Sequence, residues 1–198
     1  MNERDMQHGK TYKDQDVSGY VATEKYNGCR AYWDGEVLWS RGGLAIDIPD
    51  SWLAAFPKGI HLDGEVYDGI DGFHRTVSAV KYGNFTPSMK FMVFECPSFQ
   101  GKYQDKLAQA KQYENGLIII VSSWRVTGIT EAISQMKDIH SRSGEGMVLR
   151  DPDLQYAAER TDKVIKLKKD PSQVIVKKKS SKRRPGWTKN AQSFSISV

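Results

Sequence analysis

Short runs of β-branched and aromatic residues, separated by Gly, Asp and Asn, recur along most of the chain. Runs of this length and composition predict β-strands. They occupy residues 20–23, 31–33, 37–40, 61–67, 90–95, 117–121, 147–150 and 164–167. The dipeptide Asp34-Gly35 separates the second run from the third and predicts a tight hairpin turn between them. Ahead of the first run, about the first 18 residues form a polar lead-in.

Helical periodicity is found in residues 104–113 and 130–142, and a short helix is expected at residues 50–56 ahead of Pro57. In the segment 130–142, one helical face carries four apolar residues, Ala132, Ile133, Met136 and Ile139. Many short strands with a few helices predict an α+β fold, rich in antiparallel strand pairs and with helices on its flanks.

The length of the chain allows one full domain with a small appendage, and the domain is expected over residues 1–171. Residues 172–198 have a different composition. Residues 173–176 and 193–198 are strand-like, and the segment 177–190 between them is basic and rich in turn residues. This pattern predicts a hairpin with a long basic loop, which could not fold by itself because a lone hairpin is only marginally stable in water.

Composition excludes several classes of protein. The 39% hydrophobic content is sufficient for a core, and no apolar run approaches the length of a membrane span. Residues 1–13 are polar and lack the apolar centre of a secretion signal, so we expect no export. Cys29 and Cys96 are far apart in sequence and suggest neither a disulfide scaffold nor a zinc site, which fits the reducing cytoplasm.

The net charge of +5 is unevenly distributed. Residues 163–189 contain eleven Lys or Arg and one acid, whereas the rest of the chain contains 18 basic and 23 acidic residues. A basic block of this kind usually binds polyanions, and the alternative is a solvated basic tail.

The strongest candidate for chemistry is Lys25, in the run Glu-Lys-Tyr-Asn-Gly-Cys-Arg at residues 24–30. A lysine with a cation nearby loses its proton more easily and becomes a nucleophile. Arg30 is a candidate for that cation and for a phosphate clamp. Gly28 would allow the backbone to approach a ligand closely. Taken alone, the run also fits an ordinary lysine at a strand edge followed by a turn.

Four further runs hold candidate residues, and three of these runs have an ordinary structural alternative. Glu65, among strand residues, could hold a ribose hydroxyl or a metal-bound water, or belong to a turn. Phe94 ends an apolar strand, where most aromatic side chains are core. Glu145 lies between two glycines that would allow close approach to phosphate and metal. Lys166 and Lys168 share one strand face by their spacing of two, and they would suit a triphosphate or simply face solvent.

In this order, the five runs resemble motifs I, III, IIIa, IV and V of the covalent nucleotidyltransferases, a superfamily of DNA ligases, RNA ligases and mRNA capping enzymes. The closer resemblance is to small bacterial and phage ATP-dependent DNA ligases, and it covers about residues 11–176. Residues 16–25, 30–35, 40–43, 62–65 and 144–147 carry it. Two features depart from the family pattern: Asn27 replaces the usual Asp, and residues 172–198 could supply only the opening hairpin of the usual C-terminal OB-fold.

The resemblance implies an adenylation domain in which Lys25 takes AMP from ATP and passes it to the 5′-phosphate of a nick in duplex DNA. Further roles follow from it. Glu24, Arg30, Glu65, Phe94, Lys166 and Lys168 bind the nucleotide, with Phe94 stacked on adenine, and Glu65 and Glu145 hold Mg²⁺ or Mn²⁺. DNA is held by Arg41 and by the basic tail residues Lys177, Lys178, Lys179, Lys182, Arg183, Arg184 and Lys189.

ATP is the expected cosubstrate, because the 24 residues ahead of Lys25 are too few for the separate nicotinamide-binding domain of NAD-dependent relatives. The other expected partner is nicked DNA, and we expect a monomer that does not bind membranes. Two alternatives remain open. Asn27 also occurs among RNA ligases and favours an RNA ligase or RNA-end adenylyltransferase. The short C-terminus favours a non-catalytic protein that binds nicks or ends.

Overall fold

The computed structural model describes residues 6–168, in which ten strands form two five-stranded sheets. The first sheet has the order β1 (His8–Thr11), β10 (Arg160–Leu167), β9 (Met147–Arg150), β2 (Val21–Glu24) and β8 (Ser123–Arg125). The second has the order β4 (Leu38–Ser40), β3 (Cys29–Trp33), β5 (Leu62–Tyr67), β6 (Lys90–Glu95) and β7 (Ile118–Ile120). The pairs β1/β10 and β6/β7 are parallel and the other pairs are antiparallel. The predicted hairpin in residues 172–198 lies outside the described residues.

Four α-helices accompany the sheets in this part of the chain: α1 (Asp50–Ala55), α2 (Phe73–Tyr82), α3 (Tyr103–Ala110) and α4 (Ile129–Ser141). A 3₁₀ turn, Lys111–Tyr113, continues α3. The predicted α+β class is confirmed. The predicted face of α4 is also confirmed, because Ala132, Met136 and Ile139 are buried and Ile133 packs against them. No helix within residues 6–168 is long and apolar enough to cross a membrane.

Each sheet has its own hydrophobic core. The core of the first sheet joins Leu149 and Ile165 to the buried face of α4. The core of the second is aromatic, and the ring centroids of Trp33 and Phe56 are 4.6 Å apart within it. Burying an aromatic side chain removes a large apolar area from water, so these two cores hold the sheets that carry the site.

The hairpin predicted at Asp34-Gly35 joins β3 to β4. The Asp34 carboxylate accepts hydrogen bonds from the backbone N–H groups of Glu36 and Val37 and from the indole of Trp39. Gly35 has a φ of 97°, a conformation that glycine adopts without a steric penalty. The turn signal in the sequence therefore reflects both a side-chain cap and a backbone requirement.

Three elements were not predicted. The polar lead-in contains β1, whose Gly9 packs so closely on β10 that a Cβ atom there would lie 2.5 Å from the Val164 carbonyl oxygen. Helix α2 fully buries only the small residues Thr76 and Ala79, and Val80 packs partly buried against the same core. Strand β8 has three residues, too few for a periodic signal. In addition, β10 begins at Arg160, four residues before the predicted start.

Candidate active site

A cavity lined by both sheets collects most of the predicted site residues. Its walls include Glu24, Lys25, Arg30, Arg41, Glu65, Phe94 and Lys166. Glu145 joins the same group by accepting a hydrogen bond from Lys25, and Lys168 joins it by pairing with Glu145. Residues that are far apart in sequence are thus brought together. The predicted DNA-binding residues of the tail, between Lys177 and Lys189, lie outside the described residues.

Lys25 follows the end of β2, and its backbone N–H donates to the carbonyl of Gly146 at 2.9 Å. Its Nζ lies 2.6 Å from Glu145 Oε2, and Lys168 Nζ lies 2.5 Å from Glu145 Oε1. Burial opposes ionisation of Glu145, but hydrogen bonds from Lys168 and Lys25 hold its pKa below the usual value. One carboxylate therefore bridges two ammonium groups.

Arg30 has a partner that was not predicted. Its Nε and Nη2 lie 3.0 and 2.6 Å from the two carboxylate oxygens of Asp63, whose side chain is fully buried. Tyr156 also donates to that carboxylate, at 2.9 Å. The charge of Arg30 is thus engaged by Asp63, and the direct partner of Lys25 is the acid Glu145 rather than a cation. A phosphate-clamping role for Arg30 stays a prediction.

Lys166 is surrounded by positive charge. Its pKa is lowered, first by burial and then by Arg160, Lys168, Lys25 and Arg41. Clustered cations repel one another, so such a cluster favours an anion that neutralises them. Arg160 was missed because the predicted strand began at residue 164. The strand starts at Arg160, and Arg160 and Lys166 both line the cavity.

Glu65 is the acid most perturbed by its surroundings. Burial raises its pKa to about 7, although the charge of Lys25 and a hydrogen bond from the Gly28 backbone N–H, 3.1 Å away, oppose this. The nearby charge of Glu145 raises it further. A cation that enters between the two carboxylates would therefore bind more strongly as pH rises and Glu65 loses its proton.

A test of Glu65 follows from this raised pKa. Between the ordinary glutamate pKa of 4.5 and about 7, Glu65 stays protonated in the folded protein and ionises in the unfolded chain. Its contribution to folding is therefore lost as pH rises through this window. We expect the wild type to lose more stability than Glu65→Gln between about pH 5 and pH 8, by on the order of 2 kcal/mol. Urea unfolding at both pH values measures this, and parallel pH profiles would contradict it.

Phe94 lies at the cavity rather than in the core. Its strand neighbours Phe91 and Val93 are fully buried, whereas Phe94 is partly exposed and lines the cavity. The guanidinium carbons of Arg30 and Arg150 each lie 5.4 Å from its ring centroid. Cations at this distance are attracted to the ring, so they help to hold it in place. Phe94 is therefore outside the fully buried core, and its stacking on a base stays a prediction.

Replacing Phe94 by alanine separates these two interpretations. If the ring stacks on a base, Phe94→Ala should weaken use of the nucleotide by about 1–3 kcal/mol. If the ring is core, the change should instead cost about 3–5 kcal/mol of folding stability. Melting temperature and nucleotide dependence are measured on the same preparation. We expect the first pattern, and a large loss of stability with unchanged nucleotide affinity would contradict it.

The remaining predicted residues, Glu24 and Arg41, line the cavity. The Glu24 carboxylate accepts a hydrogen bond from Arg142 Nη2 at 2.7 Å, which ties β2 to the end of α4. Arg41 follows β4 and reaches the cavity from the second sheet. Sequence reasoning missed several other wall residues, namely Gln7, His8, Asp63, Val148, Arg150 and Tyr156. For Val148 and Arg150 a signal existed, because both alternate on β9, two and four residues from Gly146.

Comparison with known proteins agrees with this geometry. No family model matches the chain. The chain is 29% identical over 164 residues to the DNA ligase of Haemophilus influenzae, which covers 80% of this chain and 61% of the relative. It therefore spans less than two thirds of that relative's length.

Solved structures of DNA ligases share the fold. A structure from a study of DNA binding with a minimal scaffold in Lig E DNA ligases has a TM-score of 0.73 and 28% identity, and the match covers 83% of this chain and 68% of that one. The Chlorella virus DNA ligase–adenylate has a TM-score of 0.70, 23% identity, and coverage of 83% and 67%. The bacteriophage T7 ligase complex with ATP has a TM-score of 0.62, 13% identity, and coverage of 83% and 68%.

The fold is that of the nucleotidyltransferase domain of DNA ligases. Within that class, the resemblance to small ATP-dependent DNA ligases is confirmed.

Proposed function

We propose that this protein is an ATP-dependent ligase that seals nicks in duplex DNA through a covalent lysyl–AMP at Lys25. The observation that carries the proposal is the position of Lys25. Its Nζ is 2.6 Å from Glu145 in a cavity that also holds the partly exposed ring of Phe94 and the cation Lys166. An aromatic surface, a nucleophile and clustered cations in one cavity suit a nucleotide whose base stacks and whose phosphates face the amine.

In the first step, Lys25 Nζ attacks the α-phosphorus of ATP. A P–N bond forms, the bond from the α-phosphorus to the bridging oxygen breaks, and pyrophosphate leaves with the electron pair. Lys166 and Lys168 stabilise the negative charge on the α-phosphate during transfer. The attack requires the neutral amine, so the ion pair with Glu145 opens and Nζ gives its proton to solvent before the bond forms.

A divalent cation fits the acids of this site. The charges of Glu65 and Glu145 interact, so the two carboxylates lie near one another. Within residues 6–168 no cluster of three or more Asp, Glu, His or Cys could hold a metal by itself. Mg²⁺ commonly binds through one or two carboxylates together with substrate phosphates. When bound, Mg²⁺ or Mn²⁺ would neutralise phosphate charge, and Glu65 and Glu145 would hold it.

The later steps use the phosphate-binding cations. AMP passes from Lys25 to the 5′-phosphate of the nick, which regenerates the amine, and the 3′-hydroxyl then displaces AMP to form the phosphodiester. Arg30, Arg41 and Arg160 line the cavity and would bind the 5′-phosphate. The relative from Haemophilus influenzae is a DNA ligase, which supports DNA as the polynucleotide.

The direct experiment is the intact mass of the protein after incubation with ATP and Mg²⁺. A gain of one AMP, mapped by peptide analysis to Lys25, is the expected result, and NAD in place of ATP should give none. The adenylated protein, freed of ATP, is then given a nicked duplex. Transfer of AMP to the nick and its sealing are expected. Absence of an adduct would reject the ligase and favour a protein that only binds nicks or ends.

An RNA ligase is the second candidate, and Asn27 favours it. Asn27 is exposed on the loop between β2 and β3, in the position where DNA ligases usually have Asp. The amide keeps a carbonyl acceptor and loses the charge. Sealing rates for matched nicks in duplex DNA and duplex RNA distinguish the two. Faster sealing of DNA supports our proposal, and faster sealing of RNA rejects it.

The basic tail gives a further prediction. We expect residues 177–189 to follow the DNA backbone near the nick, because clustered Lys and Arg contact phosphates without reading sequence. Deleting them should weaken binding to nicked DNA and flatten its salt dependence, since each lost phosphate contact removes a slope of roughly 0.9. Adenylation of Lys25 should change less.

A rival role for the basic tail predicts the opposite effect on DNA binding and on adenylation. If the tail contacts the leaving pyrophosphate, its deletion should stop adenylation and leave DNA binding nearly unchanged. A salt titration of DNA binding and a time course of adenylation are run on the same deletion. An unchanged salt slope would reject the DNA-binding role.

A further inference from the structure

Tyr156 lies in the loop between β9 and β10, and its hydroxyl reaches a strand of the second sheet. The hydroxyl donates a hydrogen bond to Asp63 Oδ2 at 2.9 Å and accepts one from the backbone N–H of Gln7, 3.4 Å away. A backbone N–H can only donate, so the single proton of the phenol points to Asp63. Burial, and then the charge of Asp63, raise the pKa of Tyr156, so the hydroxyl keeps this proton at neutral pH.

Asp63 connects Tyr156 to Arg30. Its side chain is fully buried, and its two oxygens accept hydrogen bonds from Nε and Nη2 of Arg30 at 3.0 and 2.6 Å. Oδ2 therefore accepts from both the guanidinium and the phenol. Each bond that a buried carboxylate accepts opposes its rotation, so loss of the phenol would leave Oδ2 with fewer donors and free the carboxylate to turn. The bidentate contact with Arg30 would then loosen.

This contact decides which edge of Arg30 can meet a ligand. A guanidinium has five N–H donors in a planar fork, and Asp63 takes two of them. The other three, on Nη1 and Nη2, form the edge that is left for a substrate in the cavity, which Arg30 lines. Two parallel N–H donors on such an edge match two oxygens of a phosphate.

We infer that Tyr156 is a positioning residue, which holds Asp63 so that this edge of Arg30 meets a substrate phosphate. The inference rests on the proposed function, in which Arg30 binds a phosphate of the nucleotide or of the nick. A purely structural role is the alternative, in which Tyr156 only ties the loop between β9 and β10 to the second sheet.

The kinetic test is a double-mutant cycle of Tyr156→Phe with Arg30→Lys, which keeps the charge and loses the fork. Lysyl–AMP formation at limiting ATP and transfer of AMP from the isolated lysyl–AMP protein to a nick are measured separately. The step that Arg30→Lys slows identifies the phosphate. In that step Tyr156→Phe should be ~10-fold slower than the wild type, as expected when a charged group loses one hydrogen bond.

In the Arg30→Lys background, Tyr156→Phe should cost less than about 2-fold, because no fork remains to be oriented. Tyr82→Phe is the matched control. It removes the hydroxyl of a tyrosine on α2 that is 74% exposed, and it should behave as the wild type.

A spectroscopic measurement depends neither on activity nor on the Arg30 variant. Asp63 holds the Nε–H of Arg30, and NMR on protein with isotope-labelled arginine follows the exchange of this proton with solvent. Exchange should be ~10-fold faster in Tyr156→Phe than in the wild type, because the accepting carboxylate is no longer fixed. Tyr82→Phe should match the wild type.

Failure of the inference and failure of the proposed function give different results. If the wild type forms no adduct with ATP, the proposed function fails, and the exchange measurement alone decides whether Tyr156 positions Arg30. The inference is overturned while the function stands if Arg30→Lys or Tyr156→Phe slows neither step, or if Tyr156→Phe costs the same factor in both Arg30 backgrounds. Unchanged exchange of the Arg30 Nε–H in Tyr156→Phe also overturns it, including when Arg30→Lys does not fold.

Discussion

Lys25→Ala is expected to form no AMP adduct under conditions in which the wild type is fully adenylated. Alanine supplies no nucleophile, and the neighbouring amine of Lys168 is already 2.5 Å from Glu145 at the opposite oxygen. Intact mass after incubation with ATP and Mg²⁺ measures the adduct directly. Nick sealing should fall with it, because every later step uses the AMP carried by Lys25.

The fold should survive this change. Lys25 is partly exposed, and Glu145 keeps Lys168 as its partner after the substitution. Lys81→Ala, which removes an exposed lysine at the end of α2, is the control and should be adenylated normally. Melting curves of both variants should lie close to that of the wild type. An adduct that persists in Lys25→Ala and maps to another lysine would reject the assignment.

Lys106→Met is expected to produce the largest loss of stability. Lys106 Nζ is 2.7 Å from Glu95 Oε1, and both side chains are almost completely buried. Removing one partner of a buried ion pair leaves an uncompensated charge and costs about 3–5 kcal/mol. For a chain of this size, each 1 kcal/mol lowers the melting temperature by roughly 2–4 °C. Thermal and urea unfolding of the variant measure the loss.

Two control variants show whether an unpaired buried charge causes the loss of stability in Lys106→Met. Lys102→Met removes an exposed lysine that precedes α3, and should have almost no effect on unfolding. Lys106→Met combined with Glu95→Gln removes both charges, so it should recover much of the lost stability. If the double variant is no more stable than Lys106→Met alone, lost packing rather than an unpaired charge is responsible.

The sequence predicted most strands because local signals define them, whereas the candidate site residues came from the resemblance of five short runs to known motifs. The turn at Asp34-Gly35 and the alternation in β9 are examples, since each is visible within a few residues. Register between distant strands has no such signal. Arg30 lies opposite Glu65 in the β3/β5 pair, and Asp63, two residues from Glu65 on β5, takes the guanidinium. No spacing along the chain indicates which acidic residue will form an ion pair with a given cation.

Helix α2 and the buried Arg150 were not predicted from the sequence, for two different physical reasons. Helix α2 fully buries only the small residues Thr76 and Ala79, and its terminal aromatic residues Phe73 and Tyr82 are exposed, so its largest apolar side chains do not mark its buried face. Arg150 was not singled out because a lone arginine at a strand end usually faces solvent. Only the packing of β9 beside Tyr103 and Phe94 makes it a buried cation.

The parallel pairing of β1 with β10 has a consequence for biogenesis. His8 pairs with Arg160, and Thr11 pairs with Lys166. The first described strand therefore cannot pair until the last one has been synthesised. A ribosome delivers residues in order, and contacts between residues so far apart in sequence form slowly. The wall that carries Gln7, His8, Arg160 and Lys166 is therefore completed only after nearly the whole described chain has emerged. Competence to bind nucleotide should be among the last properties that a nascent chain acquires.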